Sequence, residues 1–492
     1  MAYIKIRHLI RQTLQAGLYG TIGAIVTLVT VYILYLNGRA DLDLWHLISL
    51  DQEFTAASKV STFEEYLLLE KGLFKQLDDE VYSKLGPAQT DGINRYKRGS
   101  LADPERWSPN WNRSFLLPLK KPRAAVLLIH GMSDSPYSLR NMGQRLHAAG
   151  AYVLGLRVPG HGTIPSGLIH LKWQDMDAAV RLAVKHLSEH NEGVPIHIVG
   201  YSNGAALAVN YTLASLVEPD IPRIESLAIL SPEIGLTPVA ALAKWQGRLG
   251  RLLGLDKLAW NSLQPEYDPF KYGSFAVNAG DVAYRMTLQI QNRITALTDA
   301  DQLDGIPPIL AFSSLIDATV SAPALINGLF NRLSPGEHEL VLFDINRNAD
   351  MDSIFKWTPD AMIEALQKKP ERSYTLTLVG NEHPHSAKVL ALTRSPGQTT
   401  PSEKDLNLFW PKELYSLSHI ALPFPPGDPL YGGYPESKSP GIHLGGVALR
   451  GERGALRIPA AEMLRLRWNP FYPYLEDKVL AFFSLDAVPV PP

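Results

Sequence analysis

The stretch Pro195–Leu216, PIHIVGYSNGAALAVNYTLASL, decides how this chain is read. Its apolar, β-branched start, IHIVG, predicts a buried strand that ends at Gly200, and NGAALAVNYTLASL predicts a helix. Between them stands a serine fenced by glycines, Gly200-Tyr201-Ser202-Asn203-Gly204. A strand that turns so sharply into a helix packs tightly against it, and side chains at the two flanking positions would collide there. The helix N-terminus at Asn203 also offers a free N–H and a partial positive charge beside the serine. The same pentapeptide arises by chance in turns, so its weight depends on the surrounding sequence.

Outward from this point the chain alternates. The runs AAVLLI (124–129), YVLGL (152–156), SLAIL (226–230), PILAF (308–312) and ELVLF (339–343) have the composition of buried strands. Helical patterns such as SPYSLRNMGQRLHAAG and WQDMDAAVRLAVKHLSEH separate most of them. Repeated strand–helix units predict the α/β class, a doubly wound and mostly parallel sheet, in which ligands sit beyond the carboxyl ends of the strands. Ser202 is at such an end. Two further loops follow strands: LLIHGMSDSPYS places His130-Gly131 after the first, where the N–H of Met132 can face an oxyanion together with that of Asn203, and LRVPGHGT places Gly160-His161-Gly162 after the next.

The order H-G, then P-G-H-G, then G-x-S-x-G resembles the α/β-hydrolase superfamily, and among its branches the monoglyceride lipase, lysophospholipase and serine-aminopeptidase-like one. The resemblance covers residues 124–320. It implies a chain order of nucleophile, acid and histidine. Ser202 is then the nucleophile and Asp317, in PPILAFSSLIDATVSAP, the acid, with Asp344 next in line and Asp304 after it. A helix N-cap is the other use of Asp at such a turn, and one carboxylate is not expected to fill both roles. His338, His383, His385, His419 and His443 lie beyond Asp317. His338 precedes its strand, at the wrong edge, and no histidine directly follows ELVLFDINR where a compact hydrolase would place its base. An insertion at about 345–411, carrying the extra β pattern SYTLTLVGNEHPHSAKVLALT, is therefore expected, with the base at His419 in KELYSLSHIALPF and with His383 and His385 as competitors. The pattern YLEDKVLAFFSL resembles the closing helix of such domains.

The rest of the chain adds to this frame. With 492 residues, 46% hydrophobic and 20% charged, it can bury a large core, and a formal charge of -2 favours no nucleic-acid partner. Cysteine is absent, which removes disulfides, thiolate metal sites and a cysteine nucleophile together. QTLQAGLYGTIGAIVTLVTVYILYLNG carries no charge and would reach about 40 Å as a helix, against roughly 30 Å of hydrocarbon. Lys5, Arg7 and Arg11 before it and Asp41 and Asp43 after it predict residues 1–11 in the cytoplasm, an anchor at 12–38 and the remainder on the outer side of the membrane. A cleaved signal peptide is the competing reading. Residues 39–120 read as a helical stalk or collar with an irregular lead-in, starting a helix at a Ser61/Glu64 capping box and stopping it at Gly86-Pro87. The hydrolase domain takes up 121–492, with a cap at about 233–305 whose segment VAALAKWQGRLGRLLGLDKLAW is suited to an acyl pocket or a membrane surface. His186 and His190 share a helix face at i, i+4 without the Glu motif of a zinc site between them, so zinc is not expected there, and His383 with His385 lacks a third ligand.

The expectation is a membrane-anchored serine esterase acting on lipid-like or other small esters, with no metal or organic cofactor. A serine peptidase of the same fold, with Glu233 or Glu266 facing a substrate amine, and a non-catalytic binding module are the alternatives.

Overall fold

In the computed structural model, which describes residues 2–86, 92–235, 255–349, 355–368, 371–446 and 458–486, every one of those apolar runs forms a strand. The strands are β1 (Phe115–Leu117), β2 (Ala124–Ile129), β3 (Ala151–Leu156), β4 (Ile196–Tyr201), β5 (Ser226–Leu230), β6 (Trp260–Ser262), β7 (Phe275–Ala276), β8 (Ile309–Ser314), β9 (Glu339–Phe343), β10 (Thr375–Asn381), β11 (Lys388–Arg394) and β12 (Ser402–Phe409). All but β6 and β7 join one ten-stranded sheet in the order β1-β3-β2-β4-β5-β8-β9-β10-β11-β12. From β3 to β10 neighbours run parallel, while β1, β11 and β12 are antiparallel additions at the two edges.

The alternation of side chains along each buried strand sorts them into two cores. In β2, Ala125, Leu127 and Ile129 face one layer and Ala124, Val126 and Leu128 the other. The first layer is closed by helices Trp173–His190, Asn203–Ser215 and Val277–Asp299, the second by Arg140–Ala148 and Tyr472–Phe482. Every central strand is thus covered on both faces, and its carboxyl end is left for chemistry.

Two departures from the sequence reading have simple causes. The collar helix, Phe63–Leu77, starts one residue later than expected: Thr62 accepts the Glu65 N–H at 3.2 Å, while Glu65 reaches back to the N–H groups of Ser61 and Thr62. It ends at Leu77 in a wide turn, Asp78–Tyr82, well before Gly86. The extra β pattern expected after β9 is present and extends the main sheet, because β10 pairs in parallel with β9 over Thr375–Val379.

The collar docks on the core. Phe54, Phe63 and Tyr66 enter the first apolar layer. Beneath them lies a buried charge cluster in which Arg157 holds Glu53 by two bonds of 2.9 and 3.0 Å and Glu70 by one of 3.0 Å. The helix Ala2–Asn37 contains an apolar span, Arg11–Tyr35, long enough to cross a bilayer, and its side chains are not buried by the rest of the protein. Two residues past its end, Arg39 donates to the carbonyls of Lys257, Trp260 and Asn261 at 3.0, 2.8 and 3.2 Å. Most of the amphipathic cap segment, residues 236–254, lies outside the described residues.

Candidate active site

The turn between β4 and the helix Asn203–Ser215 holds Ser202 at φ 55° and ψ -116°, a conformation a serine adopts only when its surroundings enforce it. The enforcement is visible on both sides. Ser202 N–H donates to Leu230 O at 2.9 Å, and its own carbonyl accepts from Glu233 N at 3.2 Å. A Cβ on Gly200 would stand 2.6 Å from Ala205 Cα, and one on Gly204 would run into the Ile129 carbonyl and stand 2.5 Å from His130 O. The glycines are therefore required by backbone approach, and the result is a serine hydroxyl presented at the carboxyl edge of the sheet.

Around this hydroxyl the chain brings together residues that are far apart in sequence. His419 Nε2 lies 2.9 Å from Ser202 Oγ, and His419 Nδ1 lies 2.9 Å from Asp317 Oδ2. Both side chains are almost wholly buried, His419 at 5% and Asp317 at 0% exposure. Nδ1 faces a carboxylate, which only accepts, so Nδ1 carries the proton and Nε2 presents its lone pair to the serine. Asp317 uses its second oxygen differently: Oδ1 accepts the N–H groups of Thr319 and Val320 at 2.8 and 3.0 Å. One carboxylate thus orients the imidazole and ties its own turn, while the N-cap role that competed for it falls to another residue. The helix that follows is capped by Ser321, whose Oγ accepts the Ala324 N–H at 3.2 Å. His419 and the turn bonds hold the Asp317 carboxyl below its ordinary range against the opposing effect of burial, which is the largest single influence on it.

The competing acids and histidines are occupied elsewhere. Asp344 pairs with Arg347 at 3.1 Å, and Asp304 accepts from Ser334. His338 lies at the amino-terminal edge of the sheet, where its Nδ1 accepts the Ile309 N–H at 3.2 Å. His383 and His385 are exposed in the β10–β11 connection, and His443 bonds Gly432 O at 2.7 Å. His130 and His161 bond backbone, His130 through Gly131 O and Val158 N and His161 through Pro159 O.

His419 reaches the site because the segment around it is anchored. Its main-chain oxygen accepts from Tyr201 Oη at 3.4 Å. Nine residues on, Asp428 is buried against Arg140 at 2.9 Å, Tyr137 Oη at 3.0 Å and Asn141 Nδ2 at 3.0 Å. An aromatic cluster of Trp107, Tyr137, Phe270, Phe424 and Tyr431 then joins the lead-in, the loop after β2, the cap and this C-terminal segment; Tyr137 stacks on Phe270 at 4.2 Å.

Asn203 is the first residue of its helix, so its N–H has no intrahelical acceptor, and among the described residues the N–H of Met132 meets no acceptor either. Asn203 follows Ser202 directly, and Gly131, the residue before Met132, is so close that a Cβ there would lie 3.1 Å from Ser202 Cβ. Sequence reasoning gave Glu233 no more than a peptidase role. Here it is buried at the end of β5, accepts from Asn203 Nδ2 at 3.0 Å, and is pushed up to about 7 by burial. Glu266 is withdrawn from any substrate, accepting the N–H groups of Gly273 and Ser274 at 2.9 Å each.

Compared with known proteins, residues 120–343 match a family model described as serine aminopeptidase, S33. No curated protein matches the chain. Among solved structures, similarity extends to a lipolytic enzyme from the metagenome-derived pair LipS and LipT (19% identity, covering 53% of this chain and 98% of that one, TM-score 0.36). It extends also to the monoacylglycerol lipase of Paleococcus ferrophilus (18%, 47% and 88%, 0.35). A soluble variant of Saccharomyces cerevisiae monoglyceride lipase with a substrate analogue is a third (16%, 46% and 80%, 0.34).

Proposed function

We propose that this chain, an α/β-hydrolase whose residues 120–343 match the serine-aminopeptidase-type family model, cleaves carboxylic esters through a covalent acyl-enzyme while its N-terminal helix holds it in a membrane. The observation that carries the reading is the unbroken line from Asp317 Oδ2 through His419 to Ser202 Oγ, with both contacts at 2.9 Å. Such a line moves a proton without moving heavy atoms.

Ser202 Oγ attacks the ester carbonyl as His419 Nε2 takes its proton, and the negative charge that develops on the carbonyl oxygen is met by the N–H groups of Met132 and Asn203. Asp317 keeps the imidazole tautomer in place and offsets the imidazolium charge. His419 then returns the proton to the departing alkoxide. A water molecule, activated by the same Nε2, releases the acid and restores the serine. No metal or organic cofactor enters this sequence of steps. A helix that seats the domain beside a bilayer favours lipid-like esters as substrates, with the active domain on the outer side as the flanking charges predict.

The test is reaction of the full-length protein with a fluorophosphonate. Labelling should be present in the wild type, absent in Ser202→Ala and strongly reduced in His419→Ala, but unchanged in His383→Ala and His385→Ala. A folded wild type that does not label would return the binding-module reading to the front. A peptidase reading draws on Glu233, a buried carboxyl beside Asn203; faster cleavage of an aminoacyl anilide than of the matching ester would favour it.

A further inference from the structure

At the edge of the sheet opposite Ser202, near the start of β3, the collar meets the core through three side chains of another kind. The last turn of the helix Trp173–His190 presents His186 and His190 on one face, and Glu64 reaches them from the first turn of the helix Phe63–Leu77. Glu64 Oε1 lies 2.9 Å from His186 Nδ1 and 3.7 Å from His190 Nε2, and the three donor atoms are all within 4.8 Å of one another. The two imidazoles stack with centroids 4.0 Å apart.

The hydrogen bonds around this group leave its inner face rich in electrons. His190 Nδ1 lies 2.9 Å from the carbonyl of His186, which only accepts, so Nδ1 carries the hydrogen and Nε2 turns a lone pair toward the Glu64 carboxylate. His186 Nε2 is 3.3 Å from Tyr152 Oη, leaving Nδ1 for the cluster. That Nδ1 is fully buried and, despite the nearby carboxylate oxygen, has no hydrogen-bond partner in bonding direction. In the tautomer whose Nε2–H donates to Tyr152 Oη, both imidazoles turn a lone pair toward the Glu64 carboxylate, an arrangement that a cation between them satisfies.

We propose that Glu64, His186 and His190 form a binding site for a borderline divalent cation, zinc above all, that staples the collar to the core. The donor set of two neutral imidazoles and one carboxylate is one that zinc accepts, with water completing the tetrahedron through the exposed side of Glu64 and His190. Ligands about 2.0–2.1 Å from a tetrahedral ion lie about 3.3–3.4 Å from each other, a value between the two separations seen here. The hydrogen bonds to Tyr152 Oη and the His186 carbonyl are the outer contacts that fix ring orientation at such sites. The spacing of His186 and His190 alone hid this site, since the third ligand comes from another helix. The staple is independent of the ester chemistry above.

The test uses full-length protein in detergent, titrated with zinc chloride by calorimetry, with cobalt(II) as a spectroscopic substitute. The wild type should take up one tight equivalent, show visible cobalt bands, and gain about 2 to 5 °C in melting temperature at 100-fold excess over the dissociation constant. His190→Gln and Glu64→Gln, both at solvent-exposed positions, should each weaken that equivalent at least 10-fold and lose the cobalt bands, with metal-free melting within about 2 °C of wild type. His383→Ala/His385→Ala should bind as the wild type does. Absence of a tight equivalent in the wild type, or equal binding in both ligand variants, overturns the proposal; the latter outcome means adventitious surface binding only.

Discussion

Replacing Asp317 by Asn separates the two tasks of this carboxylate and shows which matters for turnover. The side-chain shape is kept, but one of its two acceptors becomes a donor. In one orientation the amide oxygen keeps the N–H groups of Thr319 and Val320, and the NH2 group faces His419 Nδ1, so the imidazole must move its proton to Nε2 and can no longer take one from Ser202. In the other orientation the imidazole is correctly held, but the NH2 group confronts both turn amides. The part-buried Val320 N–H loses its partner at a cost of about 1–3 kcal/mol and the exposed Thr319 N–H at somewhat less, a total of about 2–4 kcal/mol. The inactive orientation therefore prevails by roughly 30- to 1,000-fold. Loss of the negative charge opposite the imidazolium lowers the rate further, toward the roughly 10⁴-fold known for this change in such triads. Hydrolysis of a p-nitrophenyl ester, followed as kcat beside the fluorophosphonate labelling rate and the melting temperature, gives the readout. The expected outcome is kcat down by about 10² to 10⁴ with melting within about 3 °C of wild type. An Asn variant keeping more than about a tenth of the turnover, while Ser202→Ala has none, would refute the assignment of Asp317.

Four further outcomes follow from other contacts. Gly204→Ala should abolish activity and lower stability by about 3 kcal/mol or more, because its Cβ meets backbone oxygens that no side chain can move away; a thermal melt and an ester assay decide this. Glu233 titrates near 7 in the folded chain against an ordinary 4.5, so the stability it allows is complete below about pH 4.5 and is lost as pH rises through 7. Glu233→Gln should accordingly gain up to about 3 kcal/mol over wild type between pH 5 and pH 8 in urea titrations, and equal stabilities across that range would contradict the burial argument. Arg157→Met should cost about 3–5 kcal/mol by leaving Glu53 and Glu70 unpaired, measured by chemical denaturation. A chain beginning at Gly38 should be water-soluble and still label at Ser202, whereas the full chain should resist alkaline extraction from membranes; full-length protein in the soluble fraction counts against the anchor.

The strands β2, β3, β4, β5, β8 and β9 are legible because each lies between two apolar layers, whereas β12, largely exposed at the sheet edge, carries no such run. Burial on both faces demands continuous runs such as AAVLLI and SLAIL, and their ends could be placed to within a residue or two. Ser202 was legible for the same local reason, since the turn that carries it imposes two glycines within five residues. His419 was harder. Its position depends on Asp428 meeting Arg140 and on an aromatic cluster drawn from four parts of the chain, none of which leaves a periodic pattern. Glu64 shows the limit most clearly: helix spacing revealed two histidines on one face, but the partner that completes the group stands more than a hundred positions earlier in sequence. The one-residue slip at Thr62 has a local cause, since Ser61 and Thr62 both precede acids at capping distance and only packing selects between them.

Arg39 gives the N-terminal helix a mechanical meaning. A tether's length sets the volume its cargo can sweep, and here the free length between Asn37 and the docked guanidinium is two residues, about 7 Å of chain. A domain held so closely cannot swing about on a leash or present whichever side chance offers. The carbonyls that Arg39 grips, those of Lys257, Trp260 and Asn261, lie between β5 and β8, so that connection is the part of the molecule kept next to the helix end. Under the proposed anchoring, this is the side of the domain that would face the bilayer, and a substrate dissolved in the membrane would reach it by diffusion in two dimensions.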